Sequence, residues 1–259
     1  MYDVWCIKLT TTTNVKMNYK QLDIIFENNE FIAINKPAGL FSVPDRFGRE
    51  VSLKQILEEK FGKVFIVHRL DKETSGVILF AKDAATHKIL CELFENRKIE
   101  KYYLGLVNGS LINTTGTIEI GIVEHAFKKG EMTTNNKGKA ALTTYEVLKD
   151  YKLFSWVRFR IYTGRTHQIR VHSKHIGHSI VCDELYGDGK PILLSQIKKN
   201  YKLSKDILDE TPIVARVGLH AHQLIFEWQE KKIDLIAEPP KDLRALLQQL
   251  DKRLKWAII

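Results

Sequence analysis

The chain has 259 residues, of which 44% are hydrophobic and 27% charged, and it carries a formal net charge of +9. This composition predicts a globular protein with a sizeable core, and no apolar run reaches the length of a membrane span, about 18 residues. The basic balance favours a polyanionic partner, most often nucleic acid, although a merely basic protein has the same charge. Three widely spaced cysteines, at positions 6, 91 and 182, favour free thiols in the cytoplasm over disulfides or a zinc ribbon.

One domain, over residues 21–259, follows a polar N-terminal extension, residues 1–20. Its predicted elements are apolar β-branched strands and amphipathic helices with polar or glycine caps. In chain order they are strands at 22–26 and 31–35, a helix at 52–61, a strand at 76–82, a helix at 83–96, strands at 102–107, 142–148 and 154–162, a helix at 166–176, strands at 214–228 and 233–236, and a helix at 241–251. Residues 109–140 indicate a loop-rich excursion, and residues 185–205 a basic surface segment. Many strands with few β-α-β units predict an α+β fold with a mixed, largely antiparallel sheet and flanking helices.

The first polar segment between apolar stretches is HRLDKETSG, residues 68–76. Asp71 follows a predicted strand, and short polar residues and a glycine follow it in turn. This pattern suits a loop that approaches a ligand closely. The alternative is an aspartate that only caps a turn.

The second polar segment is TGRTHQIRVH, residues 163–172. If the helix begins at Thr166, Arg165 projects from its start, where its guanidinium can reach a carboxylate bidentately. The alternative is a basic helix that binds RNA phosphate without a catalytic member. Arg170 and Lys174, on other faces of the helix, fit that alternative.

Tyrosines and histidines supply further candidates. Tyr102 and Tyr103 face opposite sides of a predicted strand, and either can be a simple core aromatic. The histidines at 172, 175 and 178 and those at 220 and 222 are spaced closely enough to consider a metal. Neither HExxH nor a Cys/His finger spacing is present, so we expect no metal site. The sequence also lacks a phosphate-binding glycine loop or dinucleotide fingerprint, so we expect no cofactor.

Taken together, these segments resemble the RluA family of pseudouridine synthases. The match extends from about residue 22 to the last strands. Its pieces are INKPAGLFSVP (34–44), HRLDKETSGVILFAK (68–82), KYYLGLVNG (101–109), GKAALTTYEV (138–147), TGRTHQIRVH (163–172) and GLHAHQLIF (218–226). The order of HRLDxxTSG and GRTHQIRxH is the most specific part of this resemblance.

The resemblance implies a mixed-sheet catalytic domain with the active site in a central cleft. It implies that Asp71 is the catalytic aspartate, Arg165 its ion-pair partner and Tyr103 the pocket tyrosine. It further implies that Arg69 enters the RNA base stack. The residues to which we assign RNA binding are His68, Arg69, Arg170, His172, Lys174 and Leu219, the last as an apolar wall of the pocket.

The sequence departs from the family pattern at two points. The family usually has a Gly-Asp pair where this chain has Cys182-Asp183, which puts the local turn in doubt. The family often carries an N-terminal S4-type RNA-binding domain. The residues before the match are too few for one, so we expect a stand-alone catalytic domain.

The implied reaction breaks the bond between ribose C1′ and uracil N1, turns the base and rejoins it through C5. It needs no metal or cofactor, but it needs an ionised Asp71 that either attacks C1′ or removes a C2′ proton. The target uridine of a structured RNA must be flipped out of its stack. We expect large-subunit ribosomal RNA, transfer RNA or both as substrates, and a monomer without an obligate protein partner. Two other readings are a non-catalytic RNA-binding protein and a metal-dependent nucleic-acid hydrolase.

Overall fold

The computed structural model describes residues 17–45, 49–198, 201–202 and 209–256. Its helices are α1 Leu53–Phe61, α2 Ala84–Glu95, α3 Gln168–His175 and α4 Lys241–Trp256. Its strands are β1 Asp23–Glu27, β2 Phe31–Lys36, β3 Phe65–Ile66, β4 Ser75–Ala81, β5 Glu100–Asn108, β6 Thr115–Glu119, β7 Ile122–Glu124, β8 Met132–Thr134, β9 Leu142–Asp150, β10 Phe154–Ile161, β11 Leu219–Trp228 and β12 Lys231–Ile236. Most of the predicted N-terminal extension, with Cys6, and parts of the 185–205 segment lie outside the described residues.

One large sheet organises the described part of the chain. Its strands follow the order β1-β2-β4-β11-β5-β10-β9-β6, with β3 added to β4 and β12 added to β11. The pairing of β4 with β11 is parallel, and the other strand pairs described are antiparallel. The predicted α+β fold with a mixed, largely antiparallel sheet is therefore confirmed. None of the helices in the described ranges is long and apolar enough to cross a membrane.

Several predicted elements differ from the observed ones in extent or kind, and the helix predicted to end at residue 251 continues to Trp256. The stretch predicted as a loop-rich excursion contains β6, β7 and β8, which are short and carry too few apolar residues to show alternation. The strand predicted from residue 214 begins at Leu219, and the helix predicted from Thr166 begins at Gln168. This last difference changes the functional site, as described below.

Two hydrophobic clusters pack on the sheet. The larger one joins β2, β4 and α1 with β11, and the other packs α4 against β5 and β10. Where β4 runs parallel to β11, Gly76 pairs with Ala221 and has a φ of 118°. A Cβ at this position would overlap the carbonyl of Ala221. Glycine is therefore required in the TSG triplet, because two strands approach each other directly behind the Asp71 loop.

Candidate active site in the central cleft

A cleft of about 1170 Å³ opens beside the junction of β4, β11 and β5. Its walls come from the 68–73 loop, the end of α2, the start of β5 and the turn that precedes α3. The carboxylate of Asp71 lies in this cleft, and about a third of the side chain, 32%, is exposed. The fold therefore brings together segments that are about 100 residues apart in the sequence, while leaving this carboxylate open to a ligand.

The backbone on both sides of Asp71 is fastened to the segment that follows β2. On one side, Ser42 Oγ donates to Leu70 O at 2.9 Å and accepts from Leu70 N at 3.1 Å. On the other side, Lys36 Nζ donates to Lys72 O at 3.0 Å and to two carbonyl oxygens of its own loop. Burial lowers the pKa of Lys36 to about 7, yet three carbonyl acceptors match the three donors of an ammonium group. These bonds fix the position of the Asp71 backbone.

The arginine that contacts Asp71 is Arg170. Its Nη1 donates to Asp71 Oδ2 at 3.2 Å, while its Nε and Nη2 donate to the two oxygens of Asp183 at 2.7 and 2.9 Å. Asp183 is fully buried, and Arg170 is nearly so. Burial opposes charge on Arg170, but the bonds to Asp183 and Asp71 outweigh it and raise the pKa of the guanidinium. Asp183 thus holds the cation rigidly from behind, and the cation faces Asp71.

Arg165 therefore does not have the predicted place as ion-pair partner of Asp71. It lies before the helix, half-buried at the cleft wall, and its Nε donates to Ala140 O at 3.1 Å. The reason is the late start of α3. The side chain of Gln168 accepts from Arg165 N–H and from the Thr163 hydroxyl, which stabilises an extra turn where the sequence pattern predicted helix.

Arg170 in turn was predicted to face RNA phosphate and instead lies inside the protein.

A second polar chain reaches Asp71 through His167. Its Nε2 lies 3.8 Å from Asp71 Oδ2, and its Nδ1 lies 2.8 Å from the hydroxyl of Tyr186. That hydroxyl accepts from Met132 N–H at 2.8 Å, so its own proton is free to be donated to His167 Nδ1. This arrangement is compatible with a neutral imidazole that carries its proton on Nε2, the nitrogen nearer the carboxylate. Burial lowers the pKa of His167, which keeps the ring neutral at neutral pH.

Tyr103 and Leu219 line a small pocket that shares Asp71 with the cleft. Burial, and next the charge of Asp71, raise the pKa of Tyr103 well above its usual value. Its phenol is therefore protonated at neutral pH and can stack or donate a hydrogen bond. Leu219 is almost fully buried and presents an apolar side chain to the same space. Both residues lie where the resemblance placed them, and their roles stay predictions.

Two histidines assigned to RNA binding have contacts inside the protein. His172 is fully buried, with Nδ1 beside Thr143 Oγ1 at 2.9 Å and Nε2 beside a backbone carbonyl at 3.2 Å. His68 accepts Leu79 N–H at 3.1 Å through Nε2 and stacks on Phe94 at 4.6 Å. Burial, and next a nearby lysine, lower the pKa of His68 to about 3. Both nitrogens of His172 have partners inside the protein, so the prediction was wrong for this residue. His68 lines the cleft wall, and its RNA-binding role stays a prediction.

Arg69 and Lys174 keep accessible positions. Arg69 is exposed and lines the cleft two residues before Asp71. Lys174 is half-exposed on α3 and lies 3.5 Å from Glu131. Their assignment to RNA contacts stays a prediction.

The sequence analysis missed Asp183, His167 and Tyr186 as members of the site. A signal was present in the segment CDELYG, which was noted only as a departure from the family pattern. Cys182 has a φ of 57°, the left-handed conformation that glycine adopts most easily, so the turn keeps its shape despite the substitution. Burial raises the pKa of its thiol to about 11. Cys182 therefore adopts the left-handed conformation that this turn needs, and Asp183 keeps its place behind Arg170.

Among the described residues, no group of three or more His, Cys, Asp or Glu side chains has an arrangement that could hold a metal. The two nitrogens of His220, for example, lie 2.9 Å from Ser75 Oγ and 2.9 Å from Ala237 O. Hydrogen bonds therefore occupy an imidazole that the spacing made a candidate ligand.

Comparison with known proteins agrees with this geometry. The family model described as RNA pseudouridylate synthase matches residues 30–175. A ribosomal large subunit pseudouridine synthase D from Buchnera aphidicola is 33% identical over 239 residues, which cover 89% of this chain and 74% of the relative. The chain belongs to the RNA pseudouridylate synthase family. It is thus an isomerase, and its resemblance to the RluA-type members is confirmed.

Other members of the RNA pseudouridylate synthase family support the same assignment. A ribosomal large subunit pseudouridine synthase D from Borreliella burgdorferi is 36% identical over 199 residues, which cover 71% of this chain and 61% of the relative. The structure of human RNA Pseudouridylate Synthase Domain Containing 4 superposes with a TM-score of 0.67 at 25% identity, covering 88% of this chain and 93% of that one. The fold is therefore that of a pseudouridine synthase along nearly its whole length.

Proposed function

We propose that this enzyme isomerises uridine in large-subunit ribosomal RNA, with Asp71 as the catalytic aspartate. The observation that carries the proposal is the arrangement of Asp71, Arg170 and Asp183. An accessible carboxylate faces a cation that a buried carboxylate holds in place. Both attack at C1′ and removal of a C2′ proton require a carboxylate, and Arg170 holds that of Asp71 in a fixed place.

The remaining cleft residues suit a uracil ring. Tyr103, as a neutral phenol, offers a flat apolar face with a donor at its edge, and Leu219 closes the pocket behind it. His167 Nε2 lies 3.8 Å from the same carboxylate. During the isomerisation the C5 proton is lost and N1 acquires one, so no external reductant or oxidant is consumed.

The ribosomal substrate is supported by the relatives. Those from Buchnera aphidicola and Borreliella burgdorferi are both large-subunit ribosomal enzymes by name. A net charge of +9 suits a large structured RNA. Cys91 and Cys182 are free thiols, which supports a cytoplasmic location, where thiols stay reduced.

The direct test is Asp71→Asn. The substitution keeps the size of the side chain but removes its charge, so pseudouridine formation should fall at least about a thousandfold, about 4 kcal/mol in the barrier. RNA affinity, measured by filter retention, should stay within about twofold, which is less than about 0.5 kcal/mol. Release of tritium from C5-labelled uridine in large-subunit RNA and in bulk transfer RNA measures the reaction on each substrate.

Two outcomes would contradict the proposal. Full tritium release by Asp71→Asn would remove this aspartate from the chemistry. Release from transfer RNA alone would show that the ribosomal assignment is wrong. Sequencing of pseudouridines in a strain without the gene would then locate the modified positions.

A further inference from the structure

The wall of the cleft on the α2 side carries two cations that have no acidic partner among the described residues. Lys101, on β5, is 7% exposed and lines the cleft. Within the described ranges its Nζ has neither a hydrogen bond nor an ion pair, and its ring contact is Phe94, 5.7 Å away. Arg97, just after α2, is exposed, lines the same wall and likewise lacks a carboxylate partner there.

A buried ammonium without an anion is costly, because it loses hydration and gains no counterion. Burial lowers the pKa of Lys101, and the nearby Arg97 lowers it further. Lysine is therefore a poor choice for this position as far as the free protein is concerned. An anion that enters the cleft would remove the penalty.

The backbone at Arg97 gives independent support. Lys98 N–H bonds to Leu93 O at 2.9 Å and Arg97 N–H to Phe94 O at 3.2 Å, the Schellman pattern that ends many helices. Arg97 occupies the left-handed position of this motif, with a φ of 57°. Glycine is preferred there, so an arginine keeps a strained backbone at the edge of the cleft. Residues held in such conformations cluster at functional sites.

The spacing between Lys101 and Tyr103 indicates which kind of ligand fits. Lys101 and Tyr103 lie two residues apart on β5, and both line the cleft, so they project from the same face about 7 Å apart. A nucleotide with its base against Tyr103 has its sugar-phosphate backbone within this range. We propose that Lys101 and Arg97 bind an RNA backbone phosphate next to the flipped uridine. This inference rests on the proposed function and adds a phosphate subsite to it.

The first test combines stability with binding in Arg97→Gly. Glycine relieves the left-handed strain, so the melting temperature should stay the same or rise, while RNA binding weakens. The probe is a single-stranded oligouridylate, titrated at several salt concentrations. Affinity should fall about threefold to tenfold, and the slope of log K against log salt should fall by about 0.7, as for one phosphate contact.

Lys152→Gly is the matched control. Lys152 also has a positive φ, 69°, and is largely exposed in the turn between β9 and β10, outside the cleft. Its replacement removes the same charge and the same kind of strain. Salt slope and affinity should stay at the wild-type values. An equal loss in both variants would show that overall charge alone matters and would overturn the subsite.

Lys101→Met provides the second test, because methionine keeps the apolar stem and removes the charge. The variant should be at least as stable as the wild type and should lose affinity and salt slope as Arg97→Gly does. Reduced stability with an unchanged slope would show a structural lysine and overturn the proposal. If this variant does not fold, the pair Arg97→Gly and Lys152→Gly decides alone.

A competition experiment separates a backbone phosphate from a site for free phosphate. Inorganic phosphate should displace oligouridylate no better than chloride at equal ionic strength. Specific displacement by phosphate, with an unchanged salt slope in Lys101→Met, would overturn the assignment to RNA. Because the probe need not be converted, these binding results are independent of whether Asp71 is catalytic.

Discussion

Two groups of charges in the cleft are built in opposite ways. At the centre, Arg170 lies between Asp71 and Asp183, and the cation has protein partners on two sides. On the α2 wall, Arg97 and Lys101 have no such partner in the described residues. Charges that the protein pairs internally fix a geometry, whereas charges left without a partner are available to a ligand. On the two proposals made above, the paired charges position the carboxylate of Asp71, and the charges without a partner hold the RNA.

The largest effect in this comparison is expected from substitutions at Arg170. Arg170→Lys replaces a planar fork that serves two carboxylates with a single ammonium. Turnover should fall about tenfold to a thousandfold, about 1.4–4 kcal/mol in the barrier. Arg170→Met should also destabilise the fold by about 3–5 kcal/mol, because Asp183 remains buried without a counterion. Single-turnover rates and urea unfolding measure the two effects.

The matched control is Arg165→Lys, in the same segment and on the same cleft wall. Its guanidinium is bonded to one carbonyl, so turnover should change by less than about threefold, under 0.7 kcal/mol or so. The reverse ranking, with Arg165→Lys the more damaging, would show that Arg165 moves onto Asp71 when RNA binds.

A smaller effect concerns Arg69, which lines the cleft near the two unpartnered cations. Its flat guanidinium can stack on bases next to an extruded uridine, and extrusion costs a few kcal/mol. Arg69→Ala should therefore slow modification of a structured RNA about tenfold more than that of an unstructured oligomer, about 1.4 kcal/mol. Single-turnover rates on the two RNAs, with 2-aminopurine beside the target, measure this difference.

Equal slowing on both RNAs with an unchanged fluorescence signal would remove Arg69 from the flipping step. Lys174→Ala serves as the comparison, because a residue that only contacts phosphate should weaken binding to both RNAs alike and flatten the salt dependence.

The pH dependence of stability tests the burial of two histidines, His68 and His220. Burial lowers the pKa of His68 to about 3 and that of His220 to about 4. In the unfolded chain both imidazoles have a pKa near 6.5. The unfolded chain therefore binds more protons, and the stability is fully present above pH 6.5 and lost as pH falls toward 4. Each histidine contributes up to about 1.4 kcal/mol per pH unit in this window. Urea unfolding across it should show a shallower decline in His68→Gln than in the wild type, and identical declines would contradict the prediction for His68.

The smallest expected effect is that of a chelator. In the proposed site the positive charge beside Asp71 comes from the guanidinium of Arg170 and not from a metal ion. Excess chelator should therefore leave turnover on prefolded RNA unchanged. Loss of activity that zinc restores would favour a metal-dependent hydrolase, and RNA chain cleavage would accompany it.

The sequence alone predicted the secondary-structure elements better than it predicted the side-chain contacts in the cleft. The hairpin β1–β2, the Gly62 and Asp83 helix caps and the buried strand β4 followed from local patterns, because caps and alternation act over a few residues. The ion pair did not, since a shift of two residues in the start of α3 decides which arginine faces Asp71. Burial of His172 depends on β9, nearly thirty residues away, so a basic helix pattern could not reveal it.

The position of β11 has a consequence for synthesis of the enzyme. This strand comes late in the sequence, yet it lies between β4 and β5 at the middle of the sheet. Until residues 219–228 leave the ribosome, the half that carries Asp71 and the half that carries Tyr103 have no strand to join them. Domains fold as their segments emerge, at about 5–20 residues per second. A nascent chain therefore lacks a complete cleft until its late strands appear, and the proposed site cannot act on RNA before then.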